Sequence, residues 1–165
     1  MELVRYTIRV ENGKPLYISA LGDIQYTGRD EDVALGHLDK HINYCNSLDA
    51  YYIGTGDYGD GISPSNRARL RSAGLYDNTE RTIQDALKER IDRLYKEHLK
   101  VTEGRWLGLV HGHHWGEIGV EGTTDTYLAK LLKTRYLGTS AYVILDFVSN
   151  DTSERHGQTL LWVHH

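Results

Sequence analysis

The chain has little of what marks several common classes of protein. Its 165 residues include one cysteine, Cys45, which excludes an internal disulfide framework and fits a reducing compartment. The formal net charge is −4, so no overall basic field would attract a nucleic acid. No apolar run approaches membrane-spanning length, and Met1–Arg5 lacks the pattern of a signal sequence. We therefore expect a cytoplasmic protein with no membrane partner.

The P-loop motif and internal repeats are also missing. The glycine spacing G-x-G-x-x-G does occur, at Gly54–Gly59, but a glycine spacing alone is a weak signal, so a mononucleotide-binding protein has little support. We find no repeat, low-complexity segment or linker. A chain of 165 residues can hold one domain with a sizeable core but hardly two. We therefore assign residues 1–165 to a single domain.

The hydrophobic pattern that is present predicts ten elements. Strands are predicted at 4–10, 16–21, 50–54, 105–110, 141–147 and 158–164, and helices at 30–46, 63–74, 79–100 and 123–133. Turn residues at 11–14 and 149–151 predict that the first two and the last two strands form hairpins. This order predicts an α/β fold of mixed β-sheets, or two packed sheets, flanked by α-helices.

Polar residues follow four of these strands where each strand ends. They are Asp23 and Gln25, Asp57 and Asp60, His113 and His114, and His164 and His165. Aspartate beside glycine is also a common turn former, so each site taken alone could be a simple turn. Because the pattern recurs at several strand ends, we favour a metal site, for which carboxylate and imidazole are suitable ligands.

These motifs resemble those of the calcineurin-like metallophosphoesterases, which read D-x-H, G-D-x-x-D, G-N-H-(D/E), a single His and G-H-x-H. Gly56–Asp60 matches the second motif fully, Gly22–Gln25 matches the first with Gln in place of His, and Gly112–Trp115 matches the third with His in place of Asn. His164 fits the fourth motif, and the given chain stops before a fifth. Residues 22–26, 63–67 and 112–114 also look like a phage- and prophage-associated branch of the family.

The resemblance implies a fold and an activity. The fold would be the four-layer metallophosphoesterase fold with a β-sandwich-like core, C-terminally incomplete, so that a second copy of the chain could cover an exposed strand edge. The activity would be hydrolysis of phosphate mono- or diesters by metal-activated hydroxide, on a phosphorylated small molecule, a nucleotide or a nucleic acid. Two divalent ions (Mn, Zn, Fe, Ni or Co) would be the cofactors.

The resemblance also implies a role for each residue of the site. The metal ligands would be Asp23, Gln25, Asp57 as the bridge between the ions, His113 and His164. His114 would be the catalytic acid, oriented by Asp60, while Asn66 and Arg67 would contact a substrate phosphate. For Asn66 and Arg67, a residue at a helix start and a surface cation are equally good interpretations. His165 is expected behind the ligands, because adjacent strand residues point to opposite faces.

A protein of another class is the alternative. A metallophosphoesterase-like module without catalysis could keep the fold for protein interaction. Gln25 and the missing fifth motif favour this alternative. The intact aspartates and histidines of the other motifs oppose it.

Overall fold

The computed structural model describes residues 1–29, 31, 34–152 and 154–165. Its helices and strands follow the predicted order: β1 Glu2–Val10, β2 Ile18–Leu21, α1 Leu35–Ser47, β3 Tyr51–Gly54, α2 Pro64–Ala73, α3 Asp77–Leu94, β4 Trp106–Leu109, α4 Thr124–Leu131, β5 Ser140–Ser149 and β6 Arg155–His164. The predicted start of the first helix, at Asp30, lies outside the described residues. The protein is thus a mixed α/β structure, as the order of elements predicted.

Local signals explain both ends of α2, whereas α3 ends earlier than its sequence predicted. The Ser63 hydroxyl accepts a hydrogen bond from the backbone N–H of Asn66, Pro64 is the first residue of α2, and Gly74 ends the helix in a left-handed conformation (φ 61°). α3 was predicted to continue to Lys100. Instead, it ends at Leu94 and passes into a π-helical turn at 95–99 and a 3₁₀ turn at 100–102.

The strands form two three-stranded sheets. The parallel sheet has the order β2–β3–β4, and the mixed sheet has the order β1–β5–β6. β5 and β6 pair antiparallel, which confirms the second predicted hairpin. The first predicted hairpin is wrong, because β1 pairs with β5 over Glu2–Val10 while the four residues of β2 pair with β3. The turn at 11–14 does form, but β1 finds its full-length partner in a distant strand.

The two sheets pack face to face over a shared hydrophobic core. Ile53 and Leu107 of the parallel sheet are buried in one cluster with Val4, Val143 and Leu145 of the mixed sheet. The opposite face of the parallel sheet is covered by α1, α3 and α4, whose buried residues form a second cluster. This arrangement makes three layers from the described residues. It places the carboxyl ends of β2, β3 and β4 together at one edge of the parallel sheet.

None of the described helices is both long enough and apolar enough to cross a membrane.

Candidate metal centre

The loops that follow β2 and β3 run side by side at this edge. The N–H of Asp23 donates to the carbonyl of Gly56 (3.0 Å), and the N–H of Gln25 donates to the carbonyl of Asp57 (2.9 Å). Asp23, Gln25 and Asp57 all have left-handed backbone conformations, with φ of 50°, 48° and 52°. Side chains other than glycine adopt this conformation at a cost, and such strain is frequent at functional sites. The left-handed backbone of these loops therefore sets the positions of Asp23, Gln25 and Asp57 at the edge of the sheet.

The carboxylate of Asp57 connects the loop after β3 to the loop after β4. It is 5 % exposed, and its Oδ1 accepts the backbone N–H groups of His113 (2.5 Å) and His114 (2.9 Å). These two bonds hold the carboxylate in place. Because Oδ1 is engaged, Oδ2 is the oxygen that faces the histidines, 3.4 Å from Nε2 of His165.

His165, directly after β6, reaches this carboxylate, and His164, the last residue of β6, does not. Its Nε2 lies 3.1 Å from Nδ1 of His113. His164 is exposed, and its ring lies against that of Trp162, 5.8 Å between centroids. The placement follows from strand geometry, since His165 has the same parity as the buried Val163 and His164 has the opposite one. That parity was the sequence signal for His165.

The nitrogen and oxygen atoms that meet in this cluster are suitable ligands for a metal ion. The Nδ1 of His165 lies 2.7 Å from the carbonyl oxygen of Thr55. A carbonyl can only accept, so Nδ1 carries a proton, and Nε2 of the neutral ring presents its lone pair. That lone pair faces a carboxylate oxygen and a second imidazole, and ligand atoms of Asp57, His113 and His165 all lie within 4.8 Å of one another. Converging acceptors of this kind suit a divalent cation, and the carbonyl behind His165 orients the ligand.

Close approach of the two loops depends on two glycines. A Cβ built on Gly112 would lie 2.1 Å from both the backbone nitrogen and Oδ1 of Asp57. A Cβ on Gly56, which has a φ of +101°, would lie 2.6 Å from Nδ1 of His165. Glycine is therefore required at both positions for the cluster to close.

His114 and Asp60 form a separate pair beside the cluster. Nδ1 of His114 lies 2.8 Å from Oδ1 of Asp60, so the carboxylate accepts a hydrogen bond from Nδ1–H, and Nε2 points away from Asp60. The side chain of His114 is 31 % exposed and can be reached by a ligand. This is the contact expected if Asp60 orients His114.

Asp23 does not join the cluster, and Gln25 is exposed beside it. Both side chains are exposed, and Asp23 is not part of the group of carboxylate and imidazole atoms that the described residues bring together. Their backbone hydrogen bonds nevertheless keep them in the loop adjacent to Asp57. The structure thus brings His113 and His165 together with Asp57 and leaves two of the predicted ligands on the neighbouring loop.

The two residues predicted to contact substrate lie at the start of α2. Asn66 is exposed, and its N–H is used by the helix cap. Arg67 is directed at the loop after β4, where Nη1 donates to the carbonyls of His113 (2.9 Å) and Trp115 (2.7 Å). Arg67 therefore contacts the backbone on both sides of His114.

A network around the buried Asp125 lies under the same loop, and none of its residues was among the predicted site residues. Asp125, 2 % exposed, accepts the N–H of Gly112 (3.0 Å) and lies 3.4 Å from Nδ1 of His111. The hydroxyl of Tyr136 lies 2.9 Å from the same nitrogen, and burial raises the pKa of Tyr136, with the Asp125 charge adding to the effect. Asp125 lies between Thr123 and Thr126, which form a capping box at the start of α4. This helix start was the only local signal in the sequence near Asp125.

Fold and site together define a mixed α/β protein with an Asp–His cluster at the carboxyl end of a parallel sheet. Comparisons with protein-family models, with curated proteins and with solved structures found no match to this chain.

Proposed function

We propose that this chain is a divalent-metal-dependent phosphoesterase that hydrolyses phosphate mono- or diesters. The observation that carries the proposal is the convergence of Asp57, His113 and His165, with the Asp60–His114 pair on the same loops. The resemblance of the motifs supports the same chemistry and suggests nucleotides or nucleic acid among the substrates. The four-layer fold of that family is part of this proposal and requires cover on the outer face of the mixed sheet. Leu3, Leu160 and Trp162 are exposed on that face.

Three ligands would hold one ion, and the loop after β2 would contribute to a second. Asp57 would give Oδ2, His165 would give Nε2 and His113 would give Nδ1, as their positions allow. Asp23 and Gln25 would supply oxygen ligands to the second ion, next to Asp57. A bound divalent ion supplies a Lewis acid for the phosphoryl group and lowers the pKa of a water molecule.

His114 would deliver a proton to the leaving oxygen. With Nδ1–H bonded to the Asp60 carboxylate, the proton that His114 delivers would be carried on Nε2. The Nε2–H is the group that faces away from Asp60 and can donate. Asp60 thereby fixes both the orientation of the ring and the atom that gives up the proton.

The test replaces the central carboxylate. Asp57→Asn keeps the shape and tolerates the left-handed backbone, but it removes the charge. We expect Mn²⁺ binding, measured by calorimetry, to weaken at least ~10-fold and turnover of bis(4-nitrophenyl) phosphate to be lost. Asp49→Asn is the matched control, since Asp49 also has a left-handed φ (52°) and its side chain is fully exposed. Equal Mn²⁺ binding in both variants would refute the metal site.

One observation favours the non-catalytic alternative. Asp23 and Gln25 are exposed and Asp23 lies outside the cluster, so a chain that holds one ion without turnover is a second candidate. Binding of Mn²⁺ that depends on Asp57, without hydrolysis of any phosphate mono- or diester, would establish that candidate.

A further inference from the structure

We propose that Arg67 is a positioning residue that sets the orientation of His114 through the backbone, and is not a ligand for substrate phosphate. The inference rests on the proposed function, since it assigns how the proton donor of that site is held. Arg67 and His114 are 47 positions apart in the chain. The connection passes through the peptide groups on either side of His114.

The guanidinium of Arg67 is directed at backbone oxygens of two loops. Nη1 donates to the carbonyls of His113 (2.9 Å) and Trp115 (2.7 Å) and also contacts the carbonyl of Ile62. The guanidinium carbon lies 4.1 Å from the centroid of the Trp115 ring, which is a cation–π contact. Hydrogen bonds from a charged donor are about twice as strong as neutral ones. Arg67 therefore ties the start of α2 to the loop that carries His114.

The backbone of His114 itself is held by hydrogen bonds that do not involve Arg67. Asp57 accepts the N–H of His114, and the His114 carbonyl accepts the N–H of Gly61 (2.8 Å). The carbonyls of His113 and Trp115 flank this segment, and Arg67 donates to both. Removal of the guanidinium frees the loop at two points, one on each side of His114.

The two histidines of the loop should respond differently to that change. The ring of His113 has a second support, because it packs against His165 with 4.6 Å between ring centroids. The ring of His114 depends on Asp60, whose side chain is 45 % exposed. A displacement of about 1 Å in a reacting group can cost ~10²-fold in rate. Loss of Arg67 should therefore reduce proton donation by His114 more than it reduces metal binding by His113.

The kinetic test compares Arg67→Ala and Arg67→Lys with the control Arg69→Ala, which removes an exposed arginine from the same helix. The substrates are bis(4-nitrophenyl) phosphate, whose leaving group needs no proton, and diphenyl phosphate, whose leaving group does. For Arg67→Ala we expect kcat on diphenyl phosphate to fall ~10²-fold, a smaller loss on the activated substrate, and an unchanged KM. Arg67→Lys should recover part of the rate, because an ammonium group can donate to the same carbonyls. A raised KM on both substrates with unchanged kcat would overturn the proposal and assign Arg67 to phosphate binding.

A second readout does not depend on turnover. Long-range ¹H–¹⁵N spectra of the histidine rings report which nitrogen of neutral His114 carries the proton. In the wild type and in Arg69→Ala this should be Nδ1, which donates to Asp60, and in Arg67→Ala the two tautomers should mix. An unchanged tautomer in Arg67→Ala would overturn the proposal, as would a loss of Mn²⁺ affinity as large as that of Asp57→Asn. If the wild type hydrolyses no phosphate ester, the proposed function fails, while the tautomer still decides whether Arg67 positions His114.

Discussion

Gly112→Ala tests whether the loop after β4 lies directly on the Asp57 carboxylate. The added Cβ would lie 2.1 Å from Oδ1 and from the backbone nitrogen of Asp57, and 2.8 Å from its Cα. Since two of these three atoms are backbone, rotation of the Asp57 side chain cannot relieve the overlap. The loop must move by at least ~1.3 Å to reach an ordinary contact distance.

That displacement has a cost that can be worked out from the hydrogen bonds. The N–H groups of residues 112, 113 and 114 all donate to carboxylates, the first to Asp125 and the others to Asp57. A bond to a charged group contributes about 1.5–3 kcal/mol, so the partial loss of three should lower the free energy of unfolding by ~2–4 kcal/mol. Because the same movement shifts His113 away from His165, Mn²⁺ affinity should fall ~10–100-fold.

Urea denaturation and calorimetry with Mn²⁺ measure the two effects, and Gly157→Ala is the matched control. A Cβ on Gly157 meets nothing within 4 Å, and the residue has no left-handed φ, so its stability should stay within ~0.5 kcal/mol of the wild type. If Gly112→Ala unfolds at the same urea concentration as Gly157→Ala and binds Mn²⁺ equally well, the loop does not approach Asp57 as described.

Two further predictions concern the terminal histidines and the buried tyrosines. His165→Ala should lose Mn²⁺ affinity while His164→Ala keeps it, and equal losses in both variants would contradict the placement of His165. Mn²⁺ binding by the wild type should also weaken as pH falls through the range of histidine protonation, because imidazolium cannot bind a metal. Burial foremost raises the pKa of Tyr52 and of Tyr127 to about 12, with the Asp92 hydrogen bond adding to the effect at Tyr127. The folded state therefore keeps protons that the unfolded chain releases near pH 10, so this stabilisation is complete below pH 10 and is lost between pH 10 and 12. The urea midpoint should fall across that window, and less steeply in Tyr127→Phe; an equal slope would contradict the raised pKa.

Much of the fold followed from local sequence signals. The spacing of apolar residues predicted the order of all ten helices and strands, and Ser63, Pro64 and Gly74 predicted both ends of α2. These signals suffice because a helix or a strand buries one face, and the periodicity of its sequence records that face.

The pairing of β1 could not be predicted in the same way. The turn at 11–14 forms, with the N–H of Lys14 donating to the carbonyl of Glu11 (3.1 Å), yet the strands on either side of it join different sheets. A turn signal reports the path of four residues. Which strand pairs with β1 depends on a match of nine residues with β5, more than 130 positions away, and no local pattern carries that information.

The supports of the site were also invisible in the sequence for a physical reason. Arg67 and Asp125 act on the loop after β4 from two different helices, and each does so through backbone atoms of its partner. A contact to a peptide group places no demand on the identity of the residue it holds. Only the motif residues that present side chains to the site could be recognised from their types.

Asp57 combines a structural task with the proposed chemical one, and the two use different oxygens. Oδ1 accepts two backbone N–H groups and holds the loop after β4, while Oδ2 faces His165. The carboxylate is therefore fixed before any ion arrives, because the loop that carries His113 and His114 is assembled on it. An ion that binds Oδ2 meets a ligand whose orientation the fold has already set, so little ordering of the site accompanies binding. The two glycines serve the same arrangement, since Gly112 leaves room for Oδ1 of Asp57 and Gly56 leaves room for the ring of His165.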